Sequence, residues 1–488
     1  MISTQRMLLS LLRYLAVGGG VVVVTVYLVW ALDSRNMPPL RAEHRVEFEE
    51  EFKAHHESET DWAGYLAREE RLAAEATTTL ELRDPGPDVL DRYRRASLSN
   101  PNNYSPNWNR SYTLPAESPR GTAVLVHGLT DSPYSLRATA LLLQGLGLTA
   151  YGPRMPGHGF AVGDLRHAKW EDWFAAVRIA MRTADAETKS GQPLILVGYS
   201  NGGLLAMRYA LDCRNDDTMR CPDGIILLSP AIQVSSLARF ARSHKGLSWM
   251  GYFERFQWVN ILPEVDPYKF NSFPKDPGFE IHSGARAVGE DMKDSPADLP
   301  PILAFQSAVD DTVSALGVVN LFRRLPANGS ELVLYDVNRS NLTASLMTRP
   351  PPDLMDEISR LLPLPFAVTL ITNQHPQSQS IRAVRFDARR DVFSERALDM
   401  RWQHTVFSLS HVAVPFEASD PIYGPNRVAG FPNLGGVAPK GERKVLSLDP
   451  NYFARLRYNP FYSFQRDTIV RWTERWLEPQ KTVAESDE

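Results

Sequence analysis

The sequence predicts an α/β protein, a mostly parallel sheet flanked by helices, preceded by one helix able to cross a bilayer. Three observations carry this. Short apolar runs alternate with helical stretches from residue 122 onward, the pattern of a sheet covered on both faces. Within that alternation, Gly198-Tyr199-Ser200-Asn201-Gly202 lies between a strand-like run and a helical run. Far upstream, residues 15–32 read LAVGGGVVVVTVYLVWAL without a single charge.

The apolar segment is the first element. Eighteen residues at ~1.5 Å each cover roughly 27 Å, close to the thickness of a bilayer core. Tyr27 and Trp30 sit near its far end, where aromatic rings favour the interface. Arg6 and Arg13 precede it, whereas Asp33, Glu49, Glu50 and Glu51 follow. The positive-inside rule then places residues 1–13 in the cytoplasm, residues 14–32 across the membrane, and the remainder outside, periplasmic if the source is bacterial. The alternative is a cleaved signal peptide ending near Ala31, but the apolar run exceeds the ~7–15 residues usual for one.

Residues 33–110 read as a juxtamembrane tether. Residues 47–76 are charged and helix-prone, with Trp62, Tyr65, Leu66 and Leu72 at roughly helical spacing. Packing of this helix on the following domain is the expected role. Its Glu-rich start would be repelled by anionic headgroups, which favours a site held off the membrane surface.

Composition narrows what the rest can be. The 488 residues are 43% hydrophobic and 23% charged, which excludes a disordered, collagen-like or coiled-coil chain. The formal net charge is −4 with Lys and Arg scattered, so no nucleic-acid partner is expected. Cys213 and Cys221 are the two cysteines; they cannot form a zinc site unaided. Outside the cytoplasm, the polar segment between them suits a disulfide closing a small loop.

The α/β pattern occupies residues 111–478, with 479–488 a tail. Residues 123–126 form a strand ending in His127-Gly128-Leu129-Thr130. A helix follows over 136–146, a strand over 149–151, then Arg154-Met155-Pro156-Gly157-His158-Gly159. An amphipathic helix spans 170–188, a buried strand 193–198, and a further helix 204–211. The serine between these last two elements sits where the chain must turn sharply. Small residues are required there because a side chain at either glycine would strike neighbouring backbone. The following helix points its free N–H groups and positive end at the turn. Strand, G-x-S-x-G and helix in this order read as a nucleophile elbow.

At these residues the chain resembles the α/β-hydrolase superfamily, and within it the monoacylglycerol lipase, carboxylesterase and serine aminopeptidase-like group. His127-Gly128-Leu129, Pro156-Gly157-His158-Gly159 and Gly198-Tyr199-Ser200-Asn201-Gly202-Gly203 carry the resemblance. It implies that Ser200 is the nucleophile and that the backbone N–H groups of Leu129 and Asn201 form the oxyanion hole. His127 and His158 are expected to shape backbone turns rather than to catalyse.

The family order is Ser, acid, His. Residues 300–305 read as a strand running into Ser307, Asp310, Asp311 and Val313. The resembling pattern selects Asp310, leaving Asp311 a turn residue or helix cap. Only His375, His404 and His411 follow it. His404 and His411 bracket the run 405–409 and lie roughly 23 Å apart. Sites in open parallel sheets lie at the carboxyl ends of strands, so His411 qualifies and His404 does not. His375 follows the strand-like run 366–372 and remains an alternative.

Two stretches depart from the simple pattern. Residues 232–299 form a cap-like insertion rich in aromatics, among them Trp249, Tyr252, Phe253, Phe256, Trp258 and Phe270. Residues 338–401 form a second insertion, with Pro350-Pro351-Pro352 and a helix over 354–361. The expected protein is therefore a single-pass, membrane-anchored serine hydrolase cleaving carboxylic esters, with a small-molecule ester or lipid substrate and no metal or organic cofactor. A peptidase, a thioesterase or a catalytically silent binding protein of the same fold are the alternatives.

Overall fold

The computed structural model describes residues 2–80, 90–232, 242–243, 245–294, 299–308, 315–336, 354–375, 378–390, 393–402, 406–435, 438–439 and 454–477. The expected positions Asp310, Asp311, His404 and Pro350 to Pro352 lie outside the described residues.

A ten-stranded sheet organises the chain. Its strands are β1 (Tyr112–Leu114), β2 (Gly121–Val126), β3 (Leu148–Gly152), β4 (Leu194–Tyr199), β5 (Gly224–Leu228), β6 (Ile302–Ser307), β7 (Glu331–Asp336), β8 (Ala367–Asn373), β9 (Ser380–Phe386) and β10 (Phe393–Arg401). In space they run β1-β3-β2-β4-β5-β6-β7-β8-β9-β10. From β3 to β8 every pairing is parallel, whereas β1, β9 and β10 pair antiparallel. Each residue of β2, β4, β5, β6 and β7 is buried. That explains their largely apolar runs: with helices on both faces, alternation would bury a polar side chain at every second position.

The helices follow from periodicity. Helices α1 (Ile2–Asp33), α2 (Trp62–Leu80), α3 (Arg137–Gly145), α4 (Trp170–Glu187), α5 (Asn201–Asp212), α6 (Asp276–Asp294) and α7 (Tyr462–Leu477) are the longest. In α4, Trp173, Phe174, Val177 and Met181 face the core at helical spacing. Helix α1 is continuous, and the stretch Leu11–Asn36, most of which lies in α1, is long and apolar enough to cross a membrane. That makes it a candidate span by length and composition.

The second insertion is structural. Its helix forms at Leu354–Leu361 as the sequence predicts, burying Leu354 and Ile358, and its remainder extends the sheet by β8, β9 and β10. One expectation is corrected here. The strand preceding His411, Val406–Ser408, does not belong to the main sheet; it pairs with Ala454–Arg455, and this in turn with Ala438–Pro439, in a separate three-stranded sheet. With β8 already occupying the place beside β7, the later strand has no free parallel neighbour.

The segment expected as a tether is packed on the domain. Phe48, Phe52, Trp62, Tyr65 and Leu72 are buried. Trp62 donates through Nε1 to Thr113 Oγ1 at 2.9 Å, and the Gly163 amide donates to the Glu43 carbonyl at 2.8 Å. Part of the acidic run is paired: Arg71 meets Glu50 at 2.9 Å at the surface, and the buried Glu51 forms a two-pronged pair with Arg154 at 2.9 and 3.0 Å.

Cys213, at the end of α5, is joined to Cys221, shortly before β5. A bridge between residues 8 apart removes loop freedom from the unfolded chain, worth about 2–3 kcal/mol on the chain-entropy model. The Cys213→Ser/Cys221→Ser protein is expected to unfold at correspondingly lower urea concentration. An unchanged midpoint would show that the bridge contributes nothing to stability.

Candidate active site

The backbone of the turn after β4 is tightly constrained. Ser200 has φ 52 and ψ −113, conformations L-residues adopt only under constraint. The constraint is visible in what a Cβ would meet at the flanking glycines. At Gly198 it would lie 2.4 Å from the Gly202 carbonyl oxygen, and at Gly202 1.9 Å from that of Val126. The Ser200 amide donates to the Leu228 carbonyl at 2.9 Å, and the Ala231 amide donates to the Ser200 carbonyl at 2.9 Å. Ser200 is thus locked between β4 and the end of β5, at the N-terminus of α5. There the first helical amides have no intrahelical partner and the helix dipole is positive.

Facing it is the turn after β2. Gly128 packs on Tyr199, and a Cβ there would be 2.9 Å from the Tyr199 ring. Thr130 takes φ 64, and its carbonyl accepts the Phe270 amide at 2.8 Å. Leu129 belongs to this turn, which packs on the Ser200 turn through Gly128 and Tyr199.

His127 and His158 are structural, as expected. The Met155 amide donates to His127 Nε2 at 2.9 Å, so that nitrogen is unprotonated; Nδ1 then carries the hydrogen towards the Gly128 carbonyl at 2.9 Å. Burial holds the His127 pKa well below its usual value, with the neighbouring His158 and Arg154 adding to this. His158 is lowered to about 4, again chiefly by burial. Both are neutral and brace the loops after β2 and β3.

His411 stands in a short turn, His411–Ala413, whose neighbours Leu409, Ala413 and Val414 are buried. Its strand has left the sheet, but side chains tie the segment back to it. The Val414 carbonyl accepts Gln465 Nε2 at 3.2 Å and Asn459 Nδ2 at 3.4 Å, and Tyr335 of β7 donates to Gln465 at 2.9 Å. Beyond His411, the buried Asp420 accepts the Tyr134 hydroxyl at 3.0 Å, Arg137 at 3.2 Å and two backbone amides. Tyr423 donates to Asp266 of the cap at 2.7 Å. These residues follow the Leu129 turn, the cap and His411 in sequence and knot the three together in space.

Asp131 lies next to that turn; burial raises its pKa, and Lys269, at 3.2 Å, opposes the rise. His375 follows the end of β8, four strands from β4 in the sheet, which is about 19 Å at the usual strand spacing. Asp310 lies outside the described residues, but β6 ends at Ser307, three residues before it and two strands from β4. Sequence reasoning passed over Asp131, Lys269, Asp420 and Tyr423. The only local signal was the position of Asp131 directly after the His127-Gly128-Leu129-Thr130 turn. Among the described residues no cluster of His, Cys, Asp and Glu could hold a metal ion.

The central part of the chain is similar to known proteins. Residues 117–339 match the family described as serine aminopeptidase, S33. A thermostable monoacylglycerol lipase from Bacillus sp. (strain H-257) is 24% identical over 213 residues, covering 43% of this chain and 78% of the relative. Among solved structures, a monoacylglycerol lipase of Paleococcus ferrophilus is 22% identical with a TM-score of 0.35, covering 46% of this chain and 88% of its own. A thermostable carboxyl esterase of Bacillus coagulans is 14% identical with a TM-score of 0.36, covering 46% and 83%. The family match ends three residues after β7 and does not reach the inserted strands β8 to β10. With its parallel sheet, its strained serine turn between β4 and α5 and its similarity over residues 117–339 to the serine aminopeptidase S33 family, the chain has the α/β-hydrolase fold.

Proposed function

We propose that the protein is a serine hydrolase that cleaves carboxylic esters, held at a membrane by α1. The observation that carries this is the Ser200 turn: a strained serine at a helix N-terminus, in a loop where neither Gly198 nor Gly202 has room for a Cβ. In this reading Ser200 attacks the ester carbonyl while His411 takes its proton. The Leu129 and Asn201 amides hold the oxyanion, and Asp310 orients the imidazole and stabilises its cation. Collapse of the tetrahedral intermediate expels the alcohol, protonated by His411. Water activated by the same histidine then releases the acid. The 24%-identical relative that cleaves monoacylglycerols supports an acyl ester as substrate.

Apolar length and the Arg residues before it support α1 as an anchor, and the Cys213–Cys221 bridge supports an extracytoplasmic domain. A fluorophosphonate probe is expected to label the wild-type chain and not Ser200→Ala. Nitrophenyl esters of increasing acyl length, run beside aminoacyl amides, should be cleaved in preference to the amides. Faster amide cleavage would make the protein a peptidase, and absence of labelling would make it a binding protein. Removing residues 1–32 is expected to preserve turnover of short soluble esters and to reduce action on lipid in vesicles, as local concentration is lost.

A further inference from the structure

The end of α1 does not leave the domain; it is clamped to the cap. Tyr27 and Ala31 of α1 and the following Ser34 are at least half buried, at spacings of four and three residues, so one stripe faces the domain while the rest of the apolar helix is exposed. The Tyr27 hydroxyl donates to the Ser243 carbonyl at 2.7 Å, and its ring meets Phe256 edge-on at 5.4 Å. Just past the helix, the Arg35 guanidinium lies over the Tyr252 ring at 3.9 Å. Arg255 donates to the carbonyls of Arg35 and Met37, both at 2.7 Å, and Arg45 makes a two-pronged pair with Glu254 at 2.8 and 2.9 Å. The cap segment Gly251–Gln257 is thereby fixed against the end of the helix and against the chain that follows it.

Depth follows from this register. Tyr27 lies six residues before Asp33, about 9 Å back along the axis. The uncharged run after Arg13 spans about 28 Å and so needs its whole length to cross a hydrocarbon core. Whatever touches Tyr27 therefore sits below the outer edge of that core or in the headgroup layer. Beside these contacts, Trp249 is 78% exposed and Tyr252 58% exposed; Trp249 donates to the Gly246 carbonyl at 3.2 Å, and Gly246 itself abuts the Tyr27 hydroxyl. Aromatic side chains with a polar end are the type that settles at this depth.

We propose that the cap segment 245–257 is a second, monotopic membrane contact, lying in the outer interfacial layer of the bilayer that α1 crosses, with Trp249 and Tyr252 at the boundary between headgroups and acyl chains. The proposal rests on α1 being a membrane span. It replaces the picture of a tethered domain held away from the surface: α1 sets the orientation of the cap, and the cap rests on the lipid that supplies substrate.

The test uses full-length protein in phosphatidylcholine vesicles whose acyl chains are brominated near the headgroup, a short-range quencher of tryptophan emission. Wild type, Trp249→Phe and Trp30→Phe are compared. The expected result is that each variant loses part of the quenchable emission, showing that both residues contact lipid. Loss with Trp30→Phe and none with Trp249→Phe would leave the anchor in place and overturn the cap contact. No loss with either would mean that α1 is not in the bilayer, and the cap contact falls with it. As a second readout, Trp249→Ser/Tyr252→Ser should cleave soluble nitrophenyl esters at the wild-type rate and monoacylglycerol in vesicles several-fold more slowly. Equal rates on vesicles would count against the docking face.

Discussion

Turnover is expected to fall by roughly 10⁴–10⁶-fold in Ser200→Ala and in His411→Ala, with the double variant little worse than either, because the groups act as one unit. Asp310→Asn should cost a similar or smaller factor. His375→Ala is expected to retain the wild-type rate, since four strand spacings separate β8 from β4. Steady-state kinetics on a soluble ester decides among these, with circular dichroism showing that each variant is folded. A wild-type rate in His411→Ala beside a dead His375→Ala would overturn the assignment. Tyr423→Phe offers a milder check on how His411 is held: removing the bond to Asp266 at 2.7 Å should lower kcat more than it alters KM.

The second large effect concerns stability. Arg154 is buried between Glu51, at 2.9 Å, and Glu69, at 3.6 Å, and Glu51 also accepts the Gly157 amide at 2.8 Å. Arg154→Met leaves two carboxylates without their cation in a dry interior, and is expected to destabilise the fold by about 3–5 kcal/mol in urea unfolding. Arg154→Met combined with Glu51→Leu and Glu69→Leu should recover much of that loss; if it does not, the ion pairs were not the reason.

Acid behaviour follows from the same cluster. Although burial opposes its charge, Glu51 is drawn from 4.5 down to about 2 by Arg154 and its hydrogen bonds, while burial and the Glu51 charge hold the adjoining Asp164 above its usual value. A depressed carboxylate stabilises the fold above its unfolded pKa, so the Glu51 contribution is complete above 4.5 and is lost as pH falls towards about 2. Asp164 has the opposite sign, its raised pKa costing stability as pH rises past its unfolded value. The urea midpoint of wild type should therefore drop through the acid window more steeply than that of Glu51→Gln. Parallel curves would show that Glu51 does not carry the acid transition.

The parts of this protein legible in its sequence are those where a local rule allows one answer. A buried parallel strand must be largely apolar, and β2, β4, β5 and the central residues of β6 and β7 read that way. A serine at positive φ between a strand and a helix needs glycines on both sides, and Gly198 and Gly202 announce it. Nineteen residues without a charge after Arg13 announce α1, and two cysteines around a short polar loop announce the bridge. What the sequence could not determine depends on partners remote in the chain. Nothing local shows that residues 367–401 add three strands and so displace the strand before His411 from the main sheet. The Glu run after α1 looks like a solvated, membrane-repelling tether until Arg154, about a hundred residues later, is placed against Glu51. Likewise the cap looks like an independent insertion until Tyr27 and Arg35 are seen packed on Phe256 and Tyr252. Each of these rests on a pairing between side chains or strands that is favourable only once the sheet has brought them within a few ångströms, and composition and periodicity record which residues can be buried, not which remote partner buries them.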